Sequence, residues 1–197
     1  MANDWHPEIH DTDGLQMLTG TGEWIWRPHT NPAHVHVNAL LDQNARGFGL
    51  MQRDRNFDHY QDDGVFYNKR PCVWVAPKGD WGKGQVMLVE IPTNDETFDN
   101  IVAFWKPDTP LEVGKEALFS YSLSWGDGSL VQAPLATVQA TRTGLGGIVG
   151  QQRKYYSYRF AIDFAGGALA SLPAKAKVEA VITASRGKVE ITSARPL

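Results

Sequence analysis

The sequence holds a single cysteine, Cys72, so no internal disulfide can staple the fold. It has no run of 18 or more apolar residues, which excludes a membrane-spanning helix. An excess of one charge is missing too: 19 Lys+Arg stand against 22 Asp+Glu, a formal net charge of −3. A nucleic-acid-binding chain would carry a basic surface, and this balance argues against one. The N-terminal Met-Ala-Asn-Asp-Trp has no apolar signal core, so if the protein is exported its leader is expected to have been removed or to lie upstream. Repeats and low-complexity segments are absent.

What the chain does have is 42% hydrophobic and 21% charged residues over 197 positions. That balance and length suit one large domain or two small ones with a real core. Seven Trp, six Tyr and eight Phe make it rich in aromatics. Such residues line sugar sites, and they also pack β-sandwich cores.

The expected secondary structure is β nearly throughout. Short runs of β-branched and aromatic residues bounded by Gly, Pro, Asn and Asp predict strands near 15–26, 34–41, 47–52, 72–76, 85–91 and 100–105. In Glu-Trp-Ile-Trp-Arg at 23–27, Trp24 and Trp26 share one strand face, and Glu23, Ile25 and Arg27 share the other. The polar stretch between Gln52 and Pro71 reads as a long loop, a kind that is usually functional or mobile inside a compact domain. Two prolines in Lys-Pro-Asp-Thr-Pro at 106–110 suit a domain boundary. Beyond it, Phe119, Tyr121, Leu123 and Trp125 alternate onto one face, as do Tyr156, Tyr158, Phe160, Ile162 and Phe164. Strands near 178–184 and 188–193, joined at Ser-Arg-Gly, complete about five strands, where an immunoglobulin-type sandwich has about seven.

Several motifs carry chemistry only weakly. His6 and His10 stand four apart around Glu8, a zinc spacing on a helix, but Pro7 breaks the helix and no third ligand is evident. His34 and His36 share a strand face without making a site. The Gly-rich run at 144–150 lacks the strand-before, helix-after context of a dinucleotide loop and reads as a β-connection. Cys72, between Pro71 and Val73 in a strand-like run, reads as buried and inert. The carboxylates are more pointed. Asp11 and Asp13 precede the first strand, while Asp95, Glu96 and Asp99 lie between two apolar strands. Glycoside hydrolysis needs two carboxyl groups flanking a bond, one protonated and one ionised. Asp in turns also serves simply to form the turn.

Four segments together resemble a known family. They are Glu-Trp-Ile-Trp-Arg-Pro at 23–28, Gly-Phe-Gly-Leu-Met-Gln-Arg at 47–53, Pro-Lys-Gly-Asp-Trp-Gly-Lys-Gly at 77–84, and the run from Val89 to Pro107 containing Thr-Phe-Asp-Asn. They resemble the periplasmic glucan biosynthesis proteins G and D of the osmoregulated periplasmic glucan pathway of Gram-negative bacteria. The resemblance is dense from about position 6 to 110 and looser, but collinear, to the end.

The resemblance implies an all-β protein of two domains located in the periplasm. Residues 1–106 would be the C-terminal part of a large, galactose-mutarotase-like β-sandwich with a sugar cleft, and 107–197 an incomplete immunoglobulin-like β-sandwich. It implies action on β-1,2-glucan, since family members include inverting endo-β-1,2-glucanases, with no metal or organic cofactor. By motif, Asp99 corresponds to the general acid and Asp11 to the general base acting through water. A general acid must hold a proton near neutral pH, which calls for burial. The base must stay ionised, with room for water between the two. Trp24, Trp26, Tyr60 and Trp81 are the expected sugar-stacking residues, with Arg27, Arg53 and Arg55 as hydroxyl donors and 57–66, including Asp62, as a cleft loop. For each Trp the alternative is core packing, and for each Arg a solvated surface. A second function, from a different class, is a non-catalytic glucan-binding or assembly protein, with other glucan-synthesis proteins as partners. The isolated 197 residues are expected to be inactive, because a cleft lacking part of its wall cannot hold a sugar in attack geometry. Unpaired strand edges would invite pairing with another chain.

Overall fold

In the computed structural model, which describes residues 8–95, 97–128, 135–148, 150–190 and 192–196, Thr-Gly-Thr-Gly at 19–22 turns the expected strand 15–26 back on itself. The result is a hairpin of β1 (Gly14–Leu18) and β2 (Trp24–Pro28). The Thr19 N–H donates to the Glu23 carbonyl at 2.9 Å, and the Glu23 N–H to the Thr19 hydroxyl at 2.9 Å. Gly22 sits at φ +93°, a conformation that other residues rarely adopt.

The chain divides into two units, Met1–Gln132 and Ala133–Leu197. The first continues with β3 (His36–Gln43), β4 (Gly47–Met51), a four-residue helix α1 (Phe57–Tyr60) and a 3-10 turn (Tyr67–Lys69). After these come β5 (Cys72–Lys78), β6 (Lys83–Glu90), β7 (Ile101–Pro107) and β8 (Ser120–Gly126). Its strands form a five-stranded sheet in the order β2-β1-β4-β5-β8 and a three-stranded sheet in the order β3-β6-β7. Every pairing is antiparallel.

Residues opposite one another on a ladder share a face, so the registers assign the faces. Leu15 and Met17 of β1, Phe48 of β4, and Val86 and Leu88 of β6 form one buried cluster with Ala45, and that cluster joins the two sheets. Each fully buried side chain of this kind contributes about 1.5–3 kcal/mol. Ile25, Leu40, Leu50, Val75, Ile101, Ala103 and Trp105 pack around it. On the far side of the three-stranded sheet, Val37, Leu41, Val102 and Phe104 are exposed. On β8, Tyr121, Leu123 and Trp125 alternate as expected and are exposed as well.

The break expected near 106–110 falls between β7 and β8. Yet β8 pairs with β5 along its whole length, from Cys72 opposite Gly126 to Lys78 opposite Ser120, and so belongs to the first unit. The second unit holds β9 (Thr137–Leu145) and β10 (Tyr158–Ala165), an antiparallel pair with an irregularity between Asp163 and Phe164. A 3-10 turn follows at Gly167–Ser171. The Gly-rich run is the connection between β9 and β10, closed by the Gly146 N–H on the Ser157 carbonyl at 2.8 Å. The described residues of 178–184 and 188–193 form no strand. Two strands alone are marginal in water, and a hairpin needs a third strand or a packed face to persist.

Candidate functional site

The outer face of the five-stranded sheet carries an aromatic platform. Trp24 stands opposite Leu18, and Trp26 opposite Gln16, so both point away from the inter-sheet core. They pack with Leu18, Met51, Cys72, Trp74 and Ala76. The Trp24 and Trp74 rings lie 5.8 Å apart. Trp26 lies across Gly14, where a Cβ would stand 2.6 Å from a ring carbon. Arg53, exposed at the end of β4, places its guanidinium 4.5 Å from the centre of the Trp26 ring. Such a stack is worth about 0.5–1 kcal/mol at an exposed site.

The loop after β4 is sewn down by Gln52, which is fully buried. Its amide nitrogen faces the His10 carbonyl at 3.0 Å, the Tyr60 hydroxyl at 3.1 Å and the Tyr67 carbonyl at 2.9 Å. Tyr60 is fully buried beneath this loop, with its ring edge-on to His10 at 5.1 Å. Burial pushes its phenol well above the usual range, reinforced by the Asp13, Asp54 and Glu8 charges. It therefore packs the loop rather than offering a stacking face. Arg55 is turned inward as well. Its guanidinium donates to the carbonyls of Asn68 at 3.2 Å and Arg70 at 2.5 Å, and to the Cys72 sulfur at 3.5 Å. The Asp62 carboxylate accepts the N–H groups of Gly64 and Val65 at 2.8 and 2.7 Å, a turn-forming arrangement.

A band of charged side chains runs along this edge. Asp13 accepts the backbone N–H groups of Arg53 and Asp54, and lies 3.3 Å from His10. His10 also meets Glu8 at 3.1 Å. His59 donates to Asp54 at 2.5 Å, and that bond holds the imidazole pKa above 6.5. Burial opposes the Asp54 charge, but the bonds from His59 and the Asn56 N–H outweigh it and hold the carboxyl below its usual range. Asp11 is exposed and pairs with Arg70, Nε to Oδ1 at 3.1 Å. Among the described residues no three His, Cys, Asp or Glu side chains are arranged to hold a metal ion, and His6 lies outside them.

The turn at 28–31 joins this band to the loop that carries Asp99. His29 donates its N–H to the Asp13 carbonyl at 2.8 Å. The Thr30 N–H and hydroxyl donate to the buried Glu90 carboxylate at 2.7 and 3.1 Å. The Asn31 amide donates to the Thr93 carbonyl at 2.7 Å and accepts the Thr93 N–H at 3.0 Å. Glu90 also accepts from His36 at 3.0 Å and Asn38 at 3.2 Å. Asp99 is exposed on a shallow cleft of about 390 Å³ that it shares with Thr93, Asn94, Asp95, Phe98 and Asn100. The burial expected for a general acid is not supplied by the described residues. Asp95 accepts the Thr97 N–H and hydroxyl, which hold its carboxyl below the usual range, and it is a turn former.

The family model for periplasmic glucan biosynthesis protein, MdoG, matches residues 1–197. The chain belongs to the periplasmic glucan biosynthesis protein family. It is 68% identical over 196 residues to glucans biosynthesis protein D of Xanthomonas oryzae pv. oryzae strain PXO99A, covering 98% of this chain and 37% of that protein. It is 65% identical over 197 residues to glucans biosynthesis protein D of Stenotrophomonas maltophilia strain K279a, covering 100% of this chain and 37% of that protein. The chain thus spans little more than a third of the length of these relatives.

Within this chain, the expected site residues fall into separate places. Trp24, Trp26 and Arg53 come together on one face. Arg27 stands opposite Leu15 and so lies on the other face of β2 from the two tryptophans. Trp81 packs among Trp105 at 6.0 Å, Phe119 at 5.6 Å and Tyr121 at 6.1 Å, and its indole N–H donates to the Ser120 carbonyl at 3.1 Å. That is a packing role, away from the platform. Sequence reasoning missed Gln52, His29 and Glu90. Glu90 left one signal, a carboxylate closing an apolar strand, because a charge buried there needs partners. Gln52 and His29 left none, since their partners lie far along the chain. Among the described residues no helix is long and apolar enough to cross a membrane.

Proposed function

We propose that this chain forms part of the glucan cleft of a periplasmic β-1,2-glucan-processing protein that cleaves its substrate by inverting endo-hydrolysis. Asp99 donates a proton to the leaving glycosidic oxygen, and Asp11, as a carboxylate, takes a proton through water from the attacking nucleophile. The observation that carries the reading is the turn at 28–31. It is hydrogen-bonded on one side to Asp13, two residues from Asp11, and on the other to Thr93, at the root of the Asp99 loop. Two acidic residues on segments secured to one turn suit a reaction that needs two carboxyl groups at a fixed separation. Membership of a glucan biosynthesis family supports the substrate class. The reading requires the Asp99 carboxyl to be covered in a protein of the relatives' full length, because burial is what fits a carboxyl to serve as a general acid.

The Arg53–Trp26 stack beside Trp24 favours a second reading, a glucan-binding or assembly protein that holds glucan without cutting it. Asp99→Asn in a chain of the relatives' full length carrying these residues separates the two. Hydrolysis predicts loss of reducing-end release from linear β-1,2-glucan with binding retained. Unchanged turnover would remove Asp99 as the acid, and absence of turnover in the parent together with glucan binding would leave the binding protein.

A further inference from the structure

His29 has one ring nitrogen engaged and one idle. Nδ1 lies 3.1 Å from the Thr12 carbonyl oxygen and 3.2 Å from the Thr12 hydroxyl. A carbonyl only accepts, so Nδ1 carries the proton and Nε2 of the neutral ring presents a bare lone pair. Burial lowers the imidazole pKa below 6.5 and keeps it neutral, against the opposing pull of the Thr12 carbonyl, Glu90 and Asp13, while His10 adds to the lowering. Nε2 is itself buried and has no hydrogen-bond partner among the described residues. An acceptor left buried without a donor is costly, and such atoms are rare in folded proteins. Anchoring the turn would require only a donor toward Thr12, which does not call for a second nitrogen. The residue also sits at a telling place: its own N–H holds the Asp13 carbonyl, and the next two residues hold Glu90 and the Asp99 loop.

We infer that His29 Nε2 accepts a hydrogen bond from an O–H donor at the glucan site, either a hydroxyl of the bound glucan or a water held against it. The inference deepens the reading of the preceding subsection and rests on it. The neutral ring is suited to the task because a protonated imidazole would donate at both nitrogens and could not accept.

Two substitutions in a chain of the relatives' full length carrying these residues test it. His29→Asn keeps a side-chain N–H toward Thr12 and removes the distal acceptor, while His29→Gln extends an acceptor toward the place of Nε2. With linear β-1,2-glucan, His29→Asn should lose about tenfold in kcat/KM, the scale of one hydrogen bond, and His29→Gln should recover part of it. A rise in KM at constant kcat identifies a glucan hydroxyl as the donor; a fall in kcat at constant KM identifies the water. Parental kcat and KM in His29→Asn overturn the inference. Asp99→Asn, run alongside, keeps the two claims distinct. If Asp99→Asn is inactive and His29→Asn is normal, only the His29 inference fails; if Asp99→Asn turns over normally while His29→Asn is impaired, Asp99 fails as the acid and the His29 inference stands. A second measurement needs no variant. The nitrogen-15 resonance of Nε2 in the unchanged protein should have the position of a hydrogen-bonded acceptor, before or after glucan is added. A free, unbonded Nε2 in both states overturns the inference even where the substitutions prevent folding.

Discussion

Glu90 on β6 accepts two hydrogen bonds from Thr30 across sixty residues of chain, one from the backbone N–H at 2.7 Å and one from the hydroxyl at 3.1 Å. The carboxylate is fully buried, yet His36 and Asn38 also donate to it. Burial works against its charge, and the bonds from Thr30 and His36 outweigh that and hold the carboxyl below 4.5. The turn that joins the two acidic segments is thus fastened by a charge inside the fold.

A Glu90→Gln substitution should destabilise the protein by about 1–3 kcal/mol at pH 7, because the amide cannot serve all the donors and turns one of its own into their company. The sign of the pH dependence follows from a depressed carboxyl. Its stabilisation is fully present above 4.5 and is lost as pH falls through the folded-state value. Denaturant unfolding at a series of pH values should therefore find the gap between parent and variant narrowing below about pH 4.5. A gap that stays constant down to pH 3 would count against the bonded carboxylate.

The His59–Asp54 pair makes an opposite prediction. Its hydrogen bond raises the His59 pKa above 6.5, so the pair stabilises the loop below pH 6.5 and loses that contribution as pH rises through the raised value. Titration of the His59 ring by proton NMR should give a midpoint above 6.5 in the parent and one near 6.5 in Asp54→Asn. Identical midpoints in the two would break the pairing.

Trp26 and Trp81 should respond differently to truncation. Under the proposed function, Trp26→Ala in a chain of the relatives' full length removes the ring beneath Arg53 and should weaken β-1,2-glucan binding about tenfold, an effect of the order of a lost stacking contact. Trp81→Ala opens the half-buried cluster with Trp105, Phe119 and Tyr121, and should cost about 1–3 kcal/mol of stability while binding by the folded fraction persists. Calorimetric binding and thermal unfolding of both variants check the contrast. Equal binding losses would merge two surfaces that the structure separates.

Much of the fold is legible in the sequence because strands carry a period of two. Alternation alone assigns Trp24 and Trp26 to one face and Ile25 and Arg27 to the other, and the registers agree. The all-β class follows from the same pattern, and the family from motifs spaced along the chain. The hairpin turn at 19–22 was hidden because threonine is a good strand former, and only the paired hydrogen bonds reveal the reversal. The pairing of β8 with β5 is not legible for a related reason: alternation tells which residues share a face, but not which sheet the strand joins.

The sequence by itself determined the strand faces, the family, and the residue types available for chemistry. Only the tertiary structure decided which of them stand free. It turned Tyr60 and Arg55 inward beneath the loop, left Asp11 paired with Arg70, placed Trp81 among packing aromatics, and set Arg53 on Trp26. The physical reason is range. A strand period reports a residue's immediate orientation, whereas the partners of Gln52, His29 and Glu90 come from segments brought together only when two sheets close over a common core.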